Sequence, residues 1–580
     1  ALGNLLTKTV SAPTAVPVPT ARTIKDDYDT TKRFVIKKTD HQGFATDFTY
    51  NPLGQVTQSK NYMGVVSNFI YDNWGKLINT TVTNSSTTPI STTIVYAKLA
   101  DGGYTTISTN NLEAKTVTQY DVLGRVVLSS TKGFTVNTMV SKQIVYDGLG
   151  RKQKESEPYF SVPNLWTTYE YDYLMRPTKI TTPTGKIQTL SYSVLTTTSN
   201  DDGKITTATV DALGNKVQST DPGGTINFTY YANGQLKESD YQGNKVKINI
   251  DGWGNKIRME DPSAGIYTYS YDAFGQLITE TTPNGTTSFV YDTSGKPTEK
   301  TITGTNTNSK TTYSYNGLNQ IISSTFVDNT EAKTTTNSYE YDALKRLFKT
   351  TETTPYAIFV KQLSFDTFGR VDKETSTATA AGKTSAKTVK NTYQNGFPWQ
   401  IVDDSTQQVL WQTNTLNERG QLLTAALGNG IAVTNAYNPY GYTTQIKHDK
   451  TGPTVVNVMT LTTAFEIKRG NLNSRNNSLF SRNETFKYDS LDRLTEYTNG
   501  LGVQETQTYD DKGRITQNAV GTYEYDTAKT YQNKAITPTL EATGYYAARE
   551  GIFNDSFEDR TGWGVERYPN TVFYSFDNIT

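Results

Sequence analysis

Tyr267-Thr268-Tyr269-Ser270-Tyr271-Asp272-Ala273-Phe274-Gly275-Gln276-Leu277 is one copy of a unit that recurs along the whole chain. Its first half alternates large and small side chains with a period of two, which predicts a β-strand. Asp then accepts backbone hydrogen bonds in a turn, and Gly three residues later takes a positive φ. A second alternating stretch follows in residues 276–282, and Pro283-Asn284-Gly285 closes the far end. Each unit therefore predicts a β-hairpin that is joined to the next hairpin by another turn.

The copies run almost from end to end. Between residues 210 and 291 they start at 210, 230, 250, 271 and 291, a period of about 20 residues. The period lengthens to about 24–28 residues further on, where copies start at Tyr315, Tyr341, Phe365 and Tyr393. Four copies define the structural signature: Tyr71, Asp72 and Gly75; Tyr120, Asp121 and Gly124; Tyr146, Asp147 and Gly150; Tyr271, Asp272 and Gly275.

The composition narrows the class of protein. Hydrophobic residues make up 35% and charged residues 19% of the 580 residues, and 56 basic side chains balance 56 acidic ones. A neutral chain without a basic run lacks the electrostatic attraction that drives nucleic-acid binding. No stretch approaches 18 consecutive apolar residues, so no membrane span is expected. With 0 Cys and 2 His, disulfides, thiolate metal sites and multi-histidine sites are excluded.

The fold class follows from repeat and composition together. About two dozen hairpins in a row predict an all-β protein built as one continuous antiparallel sheet. A β-sandwich needs two apolar inner faces, which this composition does not supply. A very long sheet must also twist and curl. We therefore expect the hairpins to be wound into a hollow spiral shell.

Two positions in the turn are regularly apolar. The first lies three residues after the Tyr, as at Leu53, Trp74, Leu123, Leu149, Leu174, Phe274, Leu318 and Leu344. The second lies six residues after it, as at Val56, Leu77, Val126, Leu236, Leu277, Ile321 and Leu347. We expect both, with the Tyr ring, to pack against the neighbouring hairpin. The alternative is an aromatic ladder that binds a sugar or another ligand.

The Tyr-Asp-x-x-Gly-Arg/Gln/Lys-Leu unit resembles the YD repeat of the RHS family, which includes shells of bacterial toxin complexes, polymorphic toxins and animal teneurins. The resemblance covers roughly residues 1–530. It implies a β-sheet cocoon. In the bacterial toxin branch the cocoon surrounds a C-terminal effector that is kept unfolded or inactive until delivery, and in teneurins the shell is displayed outside cells for adhesion.

One family feature is missing. The toxin branch ends its shell with an Asp-Pro-x-Gly-Leu core that cleaves itself. Asp221-Pro222-Gly223-Gly224 matches its first four letters, but Thr225 follows and the site lies in the middle of the repeats. This segment and Asp261-Pro262 are interpreted as hairpin turns, and no self-cleavage is assigned to the chain.

The two ends differ from the array. Ala1-Leu2-Gly3-Asn4-Leu5 has the character of the second half of a repeat, so the shell domain, residues 1–530, is expected to be N-terminally truncated. Residues 11–22 suggest an irregular excursion, and residues 531–552 a linker with a short helix at 540–551. Residues 553–580 contain Asn554, Phe557-Glu558 and Gly562-Trp563. They resemble the start of a jelly-roll carbohydrate-binding module, also truncated.

No catalytic set is evident. His41 and His448 are interpreted as surface-turn residues, and no Gly-x-Ser-x-Gly elbow accompanies either. Asp201-Asp202 and Asp403-Asp404 are placed at hairpin ends. No phosphate loop or EF-hand spacing occurs. We therefore expect no enzyme activity, no cofactor and no metal.

The leading functional hypothesis is a structural shell of a large secreted or surface bacterial protein that encloses or carries C-terminal cargo. Its partners would be that cargo or further domains of the parent chain, and export machinery or other surface proteins. The alternative is a cell-surface adhesin whose C-terminal module binds glycans. A polysaccharide-degrading enzyme on a β-helix or propeller is the weakest hypothesis, because propeller blades are about 40–50 residues long. An extracellular or cell-surface location is expected in either leading case.

Overall fold

A computed structural model describes residues 4–11, 21–84 and 88–544. These residues form β-strands and turns, with one short helical segment at 540–544. The chain divides into two compact units, Ala1–Asn483 and Glu484–Thr580. No helix in the described ranges is long and apolar enough to cross a membrane.

The strands of the first unit are β1 Thr7–Val10, β2 Arg22–Tyr28, β3 Val35–Thr39, β4 Ala45–Tyr50, β5 Val56–Lys60, β6 Val65–Tyr71, β7 Leu77–Asn84, β8 Ile90–Lys98, β9 Tyr104–Asn110, β10 Lys115–Tyr120, β11 Val126–Lys132, β12 Met139–Tyr146, β13 Lys152–Ser156, β14 Trp166–Tyr171, β15 Pro177–Thr181, β16 Ile187–Ser193, β17 Thr196–Asp201, β18 Lys204–Val210, β19 Lys216–Asp221, β20 Gly224–Tyr230, β21 Leu236–Tyr241, β22 Asn244–Ile250, β23 Lys256–Asp261, β24 Gly265–Tyr271, β25 Leu277–Thr282, β26 Gly285–Tyr291, β27 Pro297–Gly304, β28 Thr307–Tyr315, β29 Ile321–Asp328, β30 Lys333–Tyr341, β31 Leu347–Thr353, β32 Ala357–Phe365, β33 Val371–Ala380, β34 Lys383–Gln394, β35 Phe397–Asp403, β36 Val409–Leu416, β37 Leu422–Leu427, β38 Ile431–Tyr437, β39 Thr443–Lys450, β40 Val456–Phe465 and β41 Leu472–Asn477.

The second unit contains β42 Arg482–Tyr488, whose first two residues lie before the boundary, and β43 Leu494–Thr498, β44 Gln504–Thr506, β45 Thr508–Tyr509, β46 Ile515–Gln517, β47 Gly521–Tyr525 and β48 Asn533–Pro538. β42 to β44 pair in sequence order, and β45 to β48 form a four-stranded sheet. The helical segment follows at 540–544. The rest of the expected helix and the carbohydrate-binding module expected at 553–580 lie outside the described residues. The boundaries expected at 530 and 552 stay predictions.

In the first unit, consecutive strands from β1 to β41 pair antiparallel, each with its neighbour in the sequence. The Tyr-Asp turns follow even-numbered strands, such as β6, β24 and β30. Because alternate strands of an antiparallel sheet point the same way, these turns lie along one edge of the sheet. We call it the Tyr-Asp edge, and the other edge, where odd-numbered strands end, the opposite edge.

A β-bulge recurs at the Tyr of the turn. In β24 the register with β25 shifts between Ser270 and Tyr271, and in β6 the register with β7 shifts between Ile70 and Tyr71. A bulge bends its strand and increases the local right-handed twist. Because the bulges recur along one edge, we attribute the curl of the sheet to them.

The sheet of the first unit returns onto itself as a spiral. Turns on the opposite edge hydrogen-bond to turns on the Tyr-Asp edge that lie 23 strands further along the chain. The sequence separations at this offset are 252 to 267 residues. Further contacts, such as Asn319 with Gln42 and Thr88 with Thr367, join turns that lie 25 strands apart. The number of strands between two contacting turns must be odd, because successive turns alternate between the two edges. Only an odd offset places a turn of the opposite edge over a turn of the Tyr-Asp edge. At a strand spacing of about 4.8 Å, 23 strands make a circumference of about 110 Å, so a circle of that length is about 35 Å across.

Both faces of the sheet remain open. Only four hydrophobic residues in the described part of the chain are buried: Phe134, Val402, Ala425 and Val433. The accessible surface is 35179 Å². A compact protein of this length would expose about 20,000 Å², and complete exposure of the residues outside the described ranges adds only about 8,000 Å². The expected fold class, a continuous antiparallel sheet wound into a hollow spiral shell, is confirmed.

Candidate functional site

The repeated Tyr-Asp turn is the most regular site in the molecule. At Asp72 the carboxylate Oδ1 accepts hydrogen bonds from the amides of Trp74 and Lys76, at 2.9 and 2.8 Å. The Asp72 amide donates to the Lys76 carbonyl, and the Gly75 amide donates to the Asp72 carbonyl. Four hydrogen bonds thus close a turn of five residues. Asp121, Asp147 and Asp272 repeat this arrangement.

The glycine of the turn holds a left-handed backbone. φ is 76° at Gly75, 75° at Gly124, 83° at Gly150 and 77° at Gly275. Some repeats place another residue there, and it keeps the same conformation: φ is 65° at Met175 and 66° at Lys345. The turn geometry therefore imposes this conformation even on residues that pay a steric cost for it.

The tyrosine hydroxyl links its repeat to the preceding hairpin by a hydrogen bond. The hydroxyl of Tyr71 donates to the Val56 carbonyl at 2.9 Å, and that of Tyr146 donates to the Val126 carbonyl at 3.0 Å. Tyr271 makes the equivalent bond to Lys256 at 2.8 Å. The Tyr120 ring stacks on Tyr104, with 4.6 Å between ring centroids.

The residue after the glycine links each turn to the next repeat. Nε of Arg151 donates to Oδ2 of Asp147 at 2.8 Å, and the guanidinium lies 4.8 Å from the centre of the Tyr171 ring. The Tyr171 hydroxyl donates to the Lys152 carbonyl. We call this Asp–Arg–Tyr set the clasp. It recurs at Asp121–Arg125–Tyr146, Asp172–Arg176–Tyr192, Asp366–Arg370–Tyr393, Asp489–Arg493–Tyr509 and Asp510–Arg514–Tyr525.

Glutamine at the same position makes a different link. The side-chain amide of Gln55 donates to the Gly75 carbonyl of the next repeat at 2.8 Å, and Gln276 donates to the Gly295 carbonyl at 2.8 Å. The sequence showed that Arg, Gln or Lys follows the glycine, but no role was assigned to it. Its recurrence next to an Asp and one repeat before a Tyr was the signal that could have identified the clasp.

The electrostatics of the turn keep its groups in the required protonation states. The backbone hydrogen bond from Arg125, helped by the Arg125 side chain, lowers the pKa of Asp121 despite the opposing effect of burial. At Asp211 the amide of the Asn215 side chain is the main cause of a lowered pKa. Burial raises the pKa of the Tyr171 and Tyr271 hydroxyls. At neutral pH the carboxylates of Asp121 and Asp211 are therefore charged acceptors, and the hydroxyls of Tyr171 and Tyr271 are neutral donors.

A second set of contacts joins successive turns of the spiral. The Asn395 side chain donates to the Phe134 carbonyl at 2.9 Å, and the Phe134 ring, which is 4% exposed, meets Phe397 edge to face. Arg419 forms an ion pair of 2.7 Å with Glu157. The Arg469 guanidinium donates to the Asp202 carbonyl at 3.0 Å. These residues were not identified from sequence, since nothing local marks which hairpin lies 23 strands away.

The expected packing of the first apolar position is wrong for the first turn of the spiral. Trp74 is 90% exposed, and Leu53, Leu123, Leu149 and Leu174 are also exposed. In the second turn Phe274, Leu318 and Leu344 are half-buried. The Phe274 ring lies against Arg22 of the preceding spiral turn. The side chain three residues after the Tyr points beyond the sheet edge, so only another turn of the sheet can cover it.

The second apolar position is better covered. Val56, Leu77, Val126, Leu236, Leu277 and Ile321 are half-buried, and Leu347 is exposed. In β25, Leu277 lies directly opposite Tyr271 of β24. This position lies within the sheet, where the neighbouring strand is close enough to cover part of the side chain.

The candidate catalytic residues are dispersed. His41 lies in a turn, as expected, and its Nε2 is 3.1 Å from the Ser294 carbonyl of the next spiral turn. The expectation of a turn is wrong for His448, which lies inside β39 opposite Val433 and Met459 because the hairpin extends beyond it to Lys450. Asp403 is buried and forms an ion pair with Lys387.

The Asp-Pro segments are hairpin turns. Asp221 pairs with Gly224 between β19 and β20, and its carboxylate accepts the Gly223 amide. Asp261 pairs with Gly265 between β23 and β24. Asp201 ends β17 and Asp202 occupies the following turn. Within the described ranges, no group of three or more His, Cys, Asp or Glu side chains is arranged to hold a metal ion.

Hairpins that are held by clasps and wound edge over edge define a YD-type β-shell, a structural protein. The sequence model of the Teneurin YD-shell family matches residues 102–531, and the chain belongs to this family. A search of curated protein sequences found no match.

Solved structures of toxin-complex shells share the fold. A TcdB2-TccC3 structure without its hypervariable C-terminal region superposes with a TM-score of 0.59 at 15% identity, over 88% of this chain and 35% of that one. The Tc holotoxin pore of Photorhabdus luminescens gives a TM-score of 0.58 at 15% identity, over 88% of this chain and 34% of that one. The present chain thus spans about a third of the length of these relatives.

Proposed function

We propose that this chain is the non-enzymatic wall of a larger secreted or cell-surface bacterial protein, and that its lumen encloses or carries a C-terminal effector. The observation that carries the proposal is the closed spiral of 23 strands per turn with two open sheet faces. A catalytic role would need convergent polar groups in a cleft, whereas the repeated polar groups here serve the clasps.

The size of the lumen indicates the state of its content. Side chains on the inner face occupy about 5 Å of each wall, half the usual spacing between packed sheets, so a lumen about 25 Å wide remains. A folded domain of 100 residues has a radius of gyration of about 13 Å and is therefore about 34 Å across. Cargo of that length would fit inside one spiral turn only as an unfolded or partly folded chain.

The relatives support the same proposal. The structures named above are a toxin-complex component and a holotoxin pore, and one of them was solved without a hypervariable C-terminal region. By analogy, the partner of this shell is polypeptide that is attached at its C-terminal side. An extracellular location agrees with a chain that contains no cysteine, because no thiol is present that an oxidising environment could pair.

The test is protease protection in the natural protein that contains this chain. Polypeptide inside the lumen should resist a broad-specificity protease at neutral pH and should be digested at once after the shell is unfolded with denaturant. Mass spectrometry assigns the protected fragments, and solution X-ray scattering of the same sample reports whether the particle is hollow. A filled particle, or C-terminal polypeptide digested equally fast before and after unfolding, would contradict enclosure.

A further inference from the structure

One stretch of the Tyr-Asp edge carries a row of uncovered apolar side chains. Each belongs to a turn that follows an even-numbered strand of the first spiral turn, and Trp74 and Trp253 are 90% and 93% exposed. The row consists of Leu53, Trp74, Leu123, Leu149, Tyr173, Val194, Leu213 and Trp253. Successive turns along an edge are two strands apart, about 10 Å. A soluble protein rarely exposes so long an apolar row unless something binds to it.

The next copies along the same edge show what covers such a row. Phe274 lies one repeat beyond Trp253 and occupies the same position of the turn. The Arg22 guanidinium lies 4.0 Å from the centre of the Phe274 ring. One repeat later, the carbonyl of Ser294 accepts a hydrogen bond from the Gln42 side chain at 3.3 Å. Hairpin turns of the opposite edge thus cover these positions from the second spiral turn onward.

The change from exposed to covered is abrupt and has a geometric cause. The turns at Trp253 and Phe274 have the same Asp hydrogen bonds and the same positive φ at their glycines, Gly254 and Gly275. They differ in that the turn of Phe274 lies 23 strands after the connection between β1 and β2, which leads directly into Arg22, whereas the equivalent place for the turn of Trp253 lies before β1. The exposed row is therefore the unoccupied half of an interface that the chain uses repeatedly further on.

We propose that the Tyr-Asp edge from Leu53 to Trp253 is a docking surface for a further turn of YD-repeat sheet, formed by sequence outside these 580 residues. The further turn would present its own opposite edge, so that polar hairpin turns meet the apolar row. Arginine over an aromatic ring and carboxamides on turn carbonyls are the contacts expected, as Arg22 and Gln42 make them. Cation–π contact is strongest with tryptophan, which this row carries at Trp74 and Trp253.

The experiment compares the isolated 580-residue chain with the natural protein that contains it. Hydroxyl-radical footprinting reports the exposure of Trp74 and Trp253, and Phe274 is the internal reference that is covered in both samples. We expect oxidation of both tryptophans to slow several-fold in the natural protein. A photo-crosslinker at position 253 should then join a YD-repeat segment of other sequence. Equal oxidation in the two samples, or cross-links only between two copies of residues 1–580, would overturn the proposal.

A matched pair of variants gives an independent readout. In the isolated chain, Phe274→Ser should lower the melting temperature, whereas Trp253→Ser should leave it unchanged because nothing covers that ring. In the natural protein both substitutions should lower it. If Trp253→Ser has no effect in the natural protein while Phe274→Ser still destabilises it, the row is not covered and the proposal fails. Protease protection of the cargo is measured in a separate experiment. Failure of the enclosure hypothesis can therefore be distinguished from failure of the docking proposal.

Discussion

Gly124 and Lys345 occupy the same position of the repeat and adopt the same left-handed backbone, with φ of 75° and 66°. The sequence predicts this conformation at Gly124 but not at Lys345, where a side chain disfavours it. At Lys345 the turn is nevertheless held by its hydrogen bonds, because the Lys345 amide donates to the Asp342 carbonyl and the Arg346 amide to the Asp342 carboxylate. The strain at such positions is a cost that the rest of the turn offsets.

This difference predicts opposite effects for two substitutions. Lys345→Gly should raise the free energy of unfolding by about 0.5–1 kcal/mol, because relief of the left-handed strain exceeds the extra entropy of glycine in the unfolded chain. Gly124→Ala should lower it by about the same amount, although no atom lies within 4 Å of the added methyl group. The midpoint of denaturant unfolding measures both. A shift in the same direction for the two variants would contradict the argument.

At the scale of the element, the clasp explains why consecutive hairpins stay in register. In a clasp, the tyrosine hydroxyl bonds to the preceding hairpin, and the arginine bridges the carboxylate of one turn and the ring of the next, as Arg151 does between Asp147 and Tyr171. An ordinary antiparallel sheet with two wet faces specifies its register weakly. A ring, a cation and a carboxylate at fixed positions supply the missing specification in the repeats that have a clasp, and the glutamine bond to the next glycine carbonyl does so in others.

Substitutions at Arg151 test the clasp. Arg151→Gln should be tolerated with a small loss of stability, because Gln occupies this position in other repeats and reaches the next glycine carbonyl. Arg151→Ala should cost about 1–2 kcal/mol, since it removes the ion pair, the ring contact and a hydrogen bond to the Asp172 carbonyl. Tyr171→Phe, which deletes only the hydroxyl bond, should cost about 1 kcal/mol. Equal destabilisation by Gln and Ala in thermal unfolding would show that the position acts through packing alone.

At the scale of the whole first unit, the contacts between spiral turns decide whether the sheet is a closed wall or an open ribbon. They are few, polar and spread along the edge, with one buried apolar anchor at Phe134. Long-range closure of this kind brings together residues more than 250 positions apart, as for His41 and Ser294. Formation of the wall therefore depends on prior formation of the hairpins in between.

A double-mutant cycle on Glu157 and Arg419 measures this closure. Each single substitution, Glu157→Gln and Arg419→Gln, should destabilise the chain, and the double variant should be destabilised by less than the sum. The expected coupling is about 0.5–2 kcal/mol, as for residues in direct contact. Lys179 and Glu170 form a matched control within one hairpin; their coupling should persist in a fragment that is too short to complete a spiral turn, whereas that of Glu157 and Arg419 should vanish.

The sequence by itself determined the local architecture. Period-two alternation placed strands such as β24 and β25, and Asp and Gly placed the turns between them. Even the assignment of Asp221-Pro222 to a hairpin followed from its neighbours. These features depend on interactions within about one repeat, so the residues that cause them lie side by side in the printed chain.

Only the tertiary structure decided how many strands make one spiral turn and which apolar residues at the edge are buried or exposed. A small twist at each strand, increased by the bulges at the Tyr positions, accumulates over 23 strands before the edges meet. No local sequence pattern indicates this accumulated twist. Trp253 and Phe274 have equivalent surroundings in sequence, yet one is exposed and the other lies beneath Arg22, because burial at this edge is set by a turn of sheet more than 250 residues away.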